Sequence, residues 1–164
     1  SILLQDTCAL IDFLALDLMN SIRESGRRIY ISEYVYSEVI SAHQRTQVET
    51  LIVEGLVVVD NEPNENGIAD FKARFKGLSI ADCSMIDLSQ RVGGIVVTTD
   101  EKLKRICLSL GFDVHGVLWV IEVMVAESLI DVDEAIAKLD RYAQVNKRAP
   151  RQLIDELKQK LRTT

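Results

Sequence analysis

The chain has 164 residues, of which 48% are hydrophobic, and its 25 acidic and 19 basic side chains give a net charge of −6. This length suits one domain with a continuous core. The acidic balance argues against broad electrostatic capture of nucleic acid, which relies on Lys and Arg. No apolar stretch reaches the roughly 18 residues of a membrane span, and the first residues have neither the basic n-region nor the cleavage site of a signal peptide.

Strand and helix signals alternate along the chain, which predicts a parallel sheet wrapped by helices. Thr7 and Ser32 are suited to cap the first two helices, and Gly26 ends the first. The predicted strands are 2–4, 56–59, 95–98 and a short edge strand at 112–114, and the predicted helices are 7–25, 33–44, 68–76, 80–92, 101–110, 117–129, 132–145 and 151–162.

The three cysteines, Cys8, Cys83 and Cys107, are isolated from one another and lie in apolar segments. They lack the paired spacing of a cysteine metal site. We therefore expect buried free thiols and a cytoplasmic protein, because the cytosol keeps thiols reduced.

Two acidic residues follow predicted strands: Asp6 comes after residues 2–4, and Asp100 after residues 95–99. Ligands of open α/β folds bind beyond the carboxyl ends of parallel strands, and carboxylates there suit Mg²⁺ or Mn²⁺. An ordinary helix N-cap explains either residue equally well by itself. The hydroxyl of Thr98 suits a bond to a strand-end carboxylate or a phosphate, and it equally suits an ordinary strand position.

Two further acidic residues lie on predicted helices. Glu38 follows Tyr34 by four residues and Val35 by three, which places it on the apolar face of its helix. Because burying an unpaired carboxylate is costly, we expect a partner such as a metal ion; a partly exposed position or a buried salt bridge is the alternative. Asp82 has the capping-box spacing from Ser79, so helix capping and a role in a site both remain open.

The stretches around these four acidic residues together resemble the PIN-domain nucleases, and are most similar to prokaryotic VapC-type toxins. The resemblance covers roughly residues 2–115 and rests on the order and spacing of four segments: residues 4–14, 37–39, 78–86 and 96–103. It implies a PIN-like three-layer α/β/α fold with a central parallel sheet. On this view residues 1–116 form the nuclease core, and residues 117–164 add C-terminal helices to the same domain.

The resemblance also implies a function, that of a metal-dependent endoribonuclease of the toxin type that cleaves RNA phosphodiester bonds by activating water. Its catalytic and metal-binding carboxylates would be Asp6, Glu38, Asp82 and Asp100, with Mg²⁺ or Mn²⁺ as the cofactor. We expect RNA as the substrate, a small antitoxin-like protein as a partner, a homodimer and no membrane association. The family often has a further Asp or Asn near the fourth acidic residue, whereas here Glu101 is adjacent and Asp113 is distant.

Two other functions remain open: a catalytically silent PIN-like binding module that acts as a scaffold, and a metal-dependent hydrolase of small phosphate esters. Other site classes have no support. The only histidines, His43 and His115, lie near no nucleophile motif, and the sequence contains neither a P-loop nor a Rossmann glycine fingerprint.

Basic residues form local clusters, for which solvated helix faces are the ordinary interpretation. Residues 138–164 carry eight basic and three acidic side chains, and the apolar face of the last predicted helix must pack against something. Packing on this chain or on a second copy is one interpretation, and contacts from the tail to RNA phosphates are the other. Asp87 precedes Arg91 by four residues, which predicts an exposed ion pair. The other clusters are Arg23/Arg27/Arg28, Lys72/Arg74/Lys76 and Lys102/Lys104/Arg105.

Overall fold

The computed structural model describes residues 1–164. The strands are β1 (Ile2–Gln5), β2 (Arg28–Ser32), β3 (Val57–Asp60), β4 (Ile95–Val97) and β5 (Asp113–His115). The helices are α1 (Thr7–Ala15), α2 (Met19–Glu24), α3 (Glu33–Glu38), α4 (Ala42–Val53), α5 (Glu65–Arg74), α6 (Ile80–Val92), α7 (Glu101–Ser109), α8 (Val117–Ala126), α9 (Val132–Val145) and α10 (Arg151–Arg162). None of these helices is long and apolar enough to cross a membrane.

All five strands are parallel and lie in the order β3-β2-β1-β4-β5, flanked by helices. This is the predicted α/β/α arrangement around a parallel sheet. The central strand is β1, where Leu3 lies beside Ile29 of β2 on one side and Ile95 of β4 on the other. Strands covered on both faces must be apolar along their length, and one cluster of 40 buried hydrophobic residues forms the core.

The turn into β4 depends on Gly94, which has a φ of +99°. A Cβ atom added there would lie 2.7 Å from the carbonyl oxygen of Ile2. Only glycine allows this approach of two backbones together with a positive φ. The turn therefore lets β4 enter the sheet directly beside β1.

The structure corrects the predicted elements in the first third of the chain. The strand β2 was missed, because its five residues are bounded by Arg28 and Ser32 and show no long apolar run. The predicted helix 7–25 is divided into α1 and α2 at Asp17, which has a φ of +53°. Asp6, not Thr7, caps α1 through its side chain. The predicted helix 33–44 likewise divides into α3 and α4, and Ser41 caps α4.

Two predictions of burial were also wrong. Cys8 is exposed, whereas Cys83 and Cys107 are buried as expected. Asp87 is buried rather than exposed, and its carboxylate accepts hydrogen bonds from the Arg91 guanidinium.

The C-terminal helices pack on the rest of the chain. In α10, Ile154, Leu157 and Leu161 are buried, and the helix packs against α9. Several basic side chains of this region bond within the chain: Lys158 pairs with Asp140 and Lys160 with Glu122, Lys138 donates to the carbonyl groups of Leu16 and Asp17, and Arg141 donates to that of Ala15. Much of the tail's positive charge therefore holds the helices in place.

Arg91 ties the end of β3 to α6, because its guanidinium contacts both Asp60 (2.6 Å) and Asp87 (2.8 Å), whose side chains are 12% and 4% exposed. We predict that Arg91→Gln lowers the free energy of unfolding by about 2 kcal/mol or more, because it leaves two poorly solvated carboxylates without a cation. The control is Arg23→Gln, which breaks a surface pair with Glu54 and should cost less than about 1 kcal/mol. Urea denaturation of both variants measures the difference, and equal losses would contradict this assignment.

Candidate active site

A cleft of about 300 Å³ opens at the carboxyl ends of β1 and β4. All four acidic residues predicted from the sequence line it, and we call it the acid cleft. Its lining residues are Asp6, Thr7, Cys8, Val35, Glu38, Ser79, Ala81, Asp82 and Asp100. The cleft therefore brings together residues from four separate segments of the chain.

Asp6 is the most buried of the four, with 6% of its surface exposed. Its Oδ1 accepts a hydrogen bond from the backbone N–H of Ala9 at 2.8 Å, and its Oδ2 accepts one from the hydroxyl of Thr98. Burial raises the pKa of Asp6 from 3.8 to about 6; the charges of Asp82 and Asp100 add to this rise, and the two hydrogen bonds oppose it. The folded protein thus holds a carboxylate that water stabilises poorly.

Thr98 links two of the acidic residues. Its hydroxyl donates to Asp6 and accepts a hydrogen bond from the backbone N–H of Asp100 at 3.0 Å. Of the interpretations open for Thr98, the bond to a strand-end carboxylate is therefore the one observed. The link fixes the end of β1 relative to the start of α7.

Asp82 and Asp100 each serve as a helix cap and as part of the cleft. Asp100 Oδ1 accepts from the backbone N–H of Leu103 at 2.9 Å. Asp82 Oδ2 accepts from the backbone N–H of Ser79 at 2.9 Å, and Ser79 Oγ accepts from that of Asp82 at 3.0 Å, which completes a capping box. The sequence leaves helix capping and a role in a site as alternatives for these two residues. The two roles are compatible, because a cap uses one carboxylate oxygen and leaves the other without a capping bond.

Glu38 lies in the cleft but is exposed, so the expected burial was wrong. The helix α3 ends at Glu38, and Val39, which is 1% exposed, occupies the apolar position instead. The carboxylate of Glu38 accepts a hydrogen bond from the hydroxyl of Thr7 at 2.6 Å. This contact joins α3 to α1, and the sequence gives no sign of it because the two residues are 31 positions apart.

Cys8 also lines the cleft. Although Cys8 is exposed, partial removal of water around its sulfur raises the pKa of its thiol, and the neighbouring carboxylates, Asp6 first, raise it further. A thiol is a soft ligand, whereas the carboxylates around it suit a hard cation.

Another buried carboxylate, that of Asp12, was not singled out from the sequence. It lies in α1 but does not line the cleft. Its oxygens accept hydrogen bonds from the side chain of Asn146 at 3.1 and 3.3 Å. Burial raises the pKa of Asp12, while the bonds from Asn146 and Tyr142 oppose that rise. Its contacts fasten the C-terminal helices to α1.

The donor atoms of the cleft suit a hard divalent cation. Four carboxylates surround the cleft and no histidine lines it, a set that favours Mg²⁺ or Mn²⁺ over Zn²⁺ or Cu²⁺. No group of three His, Cys, Asp or Glu side chains is arranged to hold a metal ion as the side chains lie. The four carboxylates repel one another, and three of them also accept hydrogen bonds from backbone N–H groups at helix N-termini. Both effects favour separation of the carboxylates in the absence of a cation. The assignment of these four residues as metal ligands remains a prediction.

The fold agrees with comparisons to known proteins. A family model described as "DUF3368: PIN domain" matches residues 2–163. The chain belongs to the PIN-domain family. This PIN domain is also similar to the crystal structure of PAE2754 from Pyrobaculum aerophilum, with a TM-score of 0.54, 16% identity, and coverage of 77% of this chain and 99% of that chain. At that identity the likeness shows the fold alone, and no curated protein matches the sequence.

The family match confirms the resemblance seen in the sequence at the level of the PIN family. It extends beyond the roughly 2–115 that carried the resemblance and includes α8, α9 and α10. The contacts of Asp12 and of the basic tail residues agree with this, because they join those helices to α1.

Asp6→Asn should stabilise the metal-free PIN domain in a pH-dependent manner. The pKa of Asp6 is higher in the folded state, about 6, than its ordinary 3.8, so ionisation disfavours folding. Above pH 6 both states are ionised, and the variant should gain up to about 3 kcal/mol in the free energy of unfolding. This gain should shrink as the pH falls from 6 to 4, because the folded wild-type protein then takes up the proton.

The measurement is urea denaturation in chelator across that pH range. Asp70→Asn, which removes the same charge from an exposed position of α5, is the control and should give no such profile. Equal stability of Asp6→Asn and wild type at pH 8 would show that burial of the Asp6 charge is not costly.

Proposed function

We propose that this PIN-domain protein is a metal-dependent endoribonuclease of the toxin type that hydrolyses RNA phosphodiester bonds at the acid cleft. One observation carries the proposal: four acidic residues from distant parts of the sequence line a single cleft at the carboxyl edge of the sheet. PIN domains are generally nucleases, and in open α/β folds this edge is where ligands bind.

Asp6, Glu38, Asp82 and Asp100 would hold Mg²⁺ or Mn²⁺. A bound cation supplies the charge that acidifies water for attack and offsets the charge of the phosphodiester. The chain itself positions the carboxylates: Asp6 and Asp100 through Thr98, Asp82 through its capping box, and Glu38 through Thr7. These supports hold the backbone around each carboxylate, so binding would require the carboxylate side chains to turn towards the cation while the fold stays in place.

A binding module without activity is the principal alternative, and a hydrolase of small phosphate esters is the third. A scaffold has no need to bring four carboxylates into one cleft, where their mutual repulsion is unfavourable. One assay separates the three: single-stranded RNA, a structured tRNA and a chromogenic phosphate ester, each with Mn²⁺ and with chelator. Cleavage of either RNA alone supports the proposal, release of the chromophore supports the esterase, and no product from any substrate supports the scaffold.

Asp100→Asn should abolish cleavage while the fold persists. Asparagine caps a helix as well as aspartate does, so α7 should remain intact, but the variant loses an anionic oxygen of the cleft. We expect a loss of at least about 100-fold in the initial rate with Mn²⁺, because changing a group that only supports a metal ligand already lowers metal affinity or activity by about 10- to 100-fold. The control is Glu101→Gln, adjacent in sequence but absent from the cleft lining, which should keep a rate close to wild type.

Cleavage by Asp100→Asn at the wild-type rate would contradict the role of this residue. A large loss in Glu101→Gln would instead make Glu101 a fifth functional acid.

A small antitoxin-like protein completes the proposal. A partner that inserts an Arg or Lys side chain among the four carboxylates would supply the positive charge that they lack and would exclude RNA. Purification from the native host should then yield a stoichiometric small protein that inhibits RNA cleavage, and replacing its basic residues with Gln should relieve inhibition. A PIN domain that purifies alone and is fully active would count against this partner.

A further inference from the structure

Two basic segments that are distant in the sequence lie together beside the acid cleft. Residues 71–81 and 102–112 carry six of the 19 basic residues and none of the 25 acidic ones, so that the rest of the chain has 13 basic and 25 acidic side chains. We call the six basic side chains the basic rim: Lys72, Arg74, Lys76, Lys102, Lys104 and Arg105.

Direct contacts join the two halves of the rim. The Nζ of Lys102 donates a hydrogen bond to the carbonyl oxygen of Lys76 at 3.0 Å, and a Cβ added at Gly77 would lie 2.0 Å from that Nζ. The Nζ of Lys72 donates to the carbonyl oxygen of Leu78 at 2.6 Å. The start of α7 therefore lies on the loop that leads into α6.

The basic rim borders the cleft at two points. Ser79, which lines the cleft, follows Lys76 by three residues, and Asp100, which also lines it, precedes Lys102 by two. Burial and the charge of Asp82 raise the pKa of the Cys83 thiol, and the charge of Lys72 opposes that rise. The loop into α6 and the start of α7 thus carry both lysines of the rim and residues that line the cleft.

No side chain of the rim pairs with a carboxylate within 4.0 Å, although acidic residues outnumber basic ones in the chain. Six of the 13 basic residues elsewhere are paired with acidic side chains: Arg23, Arg27, Arg45, Arg91, Lys158 and Lys160. Among the rim residues, Arg74 lies over the ring of Phe75, and Lys76, Lys104 and Arg105 have no side-chain hydrogen bond within the protein. The charge of the rim therefore remains available to an external anion.

We propose that the basic rim binds the phosphate backbone of RNA and so holds one phosphodiester at the acid cleft. This inference rests on the proposed function and adds the surface that recognises the substrate. Four carboxylates repel a polyanion, so the attraction must come from neighbouring cations. Lys and Arg contacts to phosphates supply this attraction without regard to base sequence.

The C-terminal tail offers a matched control. Lys147, Arg148 and Arg151 are exposed and have no carboxylate partner, and replacing them changes the net charge as much as replacing three rim residues does. The rim variant is Lys76→Gln, Lys104→Gln, Arg105→Gln, which leaves the loop contacts of Lys72 and Lys102 in place. The tail variant is Lys147→Gln, Arg148→Gln, Arg151→Gln.

The test is fluorescence anisotropy with a short fluorescein-labelled single-stranded RNA in Mn²⁺, at salt concentrations from about 50 to about 200 mM. Every protein also carries Asp100→Asn, so that the RNA stays intact, and a gel of the recovered RNA verifies this. Thermal unfolding tests whether each variant is folded. If the triple variant is not folded, the three single rim variants are measured instead, each with an expected loss of about 0.7 in the salt slope.

The rim variant should bind at least about tenfold more weakly at the lowest salt, and its plot of log affinity against log salt should be shallower by about 2, which is about 0.7 for each of three phosphate contacts. The tail variant should match the parent. An unchanged rim variant overturns the proposal, as does a parent protein that binds no RNA, and a loss confined to the tail variant would assign RNA binding to the tail.

Cleavage by the protein with Asp100 intact is measured separately. If the protein cleaves RNA but the rim variant binds RNA as the parent does, the rim proposal is wrong and the ribonuclease proposal is retained. If RNA binding depends on the rim but no cleavage occurs, the rim proposal is supported and the ribonuclease proposal is wrong.

Discussion

The parallel pairing of β1 with β4 is the constraint on which the acid cleft depends. Gln5 lies beside Val97 in this pairing, so the chain leaves both strands at the same level and Asp6 emerges next to Thr98. Sequence separation between these residues is 92 positions, yet the sheet brings them into hydrogen-bond contact. The close approach of Gly94 to Ile2 lets the pairing form, and the buried apolar side chains of both strands stabilise it.

Placing acidic side chains together at one edge of the sheet opposes folding, because the charges repel one another. Hydrogen bonds, rather than ion pairs with Lys or Arg, offset this cost. Three of the four carboxylates accept backbone N–H groups at helix N-termini, where the partial positive charge of the helix also favours an anion. Asp6 nevertheless keeps a raised pKa because burial outweighs its two hydrogen bonds. Perturbed pKa values of this kind are typical of functional sites.

The basic residues of the chain divide into two groups by what they contact. Half of the eight basic residues at 138–164 hold the fold: Lys158 and Lys160 pair with acidic side chains, and Lys138 and Arg141 donate to carbonyl groups at the end of α1. Those around α5 and α7 contact carbonyl groups or solvent and keep their charge beside the cleft. This division explains how a protein with a net charge of −6 can present a positive surface where a polyanion would bind.

The sequence by itself determined the α/β class, because alternating strand and helix patterns are local signals. Its resemblance to the PIN-domain nucleases predicted the family and singled out the four acidic residues that line the cleft. It did not predict β2 or the breaks at Asp17 and at the end of α3, since short elements depend on their neighbours in the sheet and core more than on their own residues. For Asp82 and Asp100 the sequence left helix capping and a place in a site as alternatives. The structure shows that both residues cap helices and also line the cleft. The burial of Asp6 and Asp87, the exposure of Glu38 and Cys8, and the union of two basic clusters were decided by tertiary structure. Each depends on which distant residues pack together, and no local pattern records that.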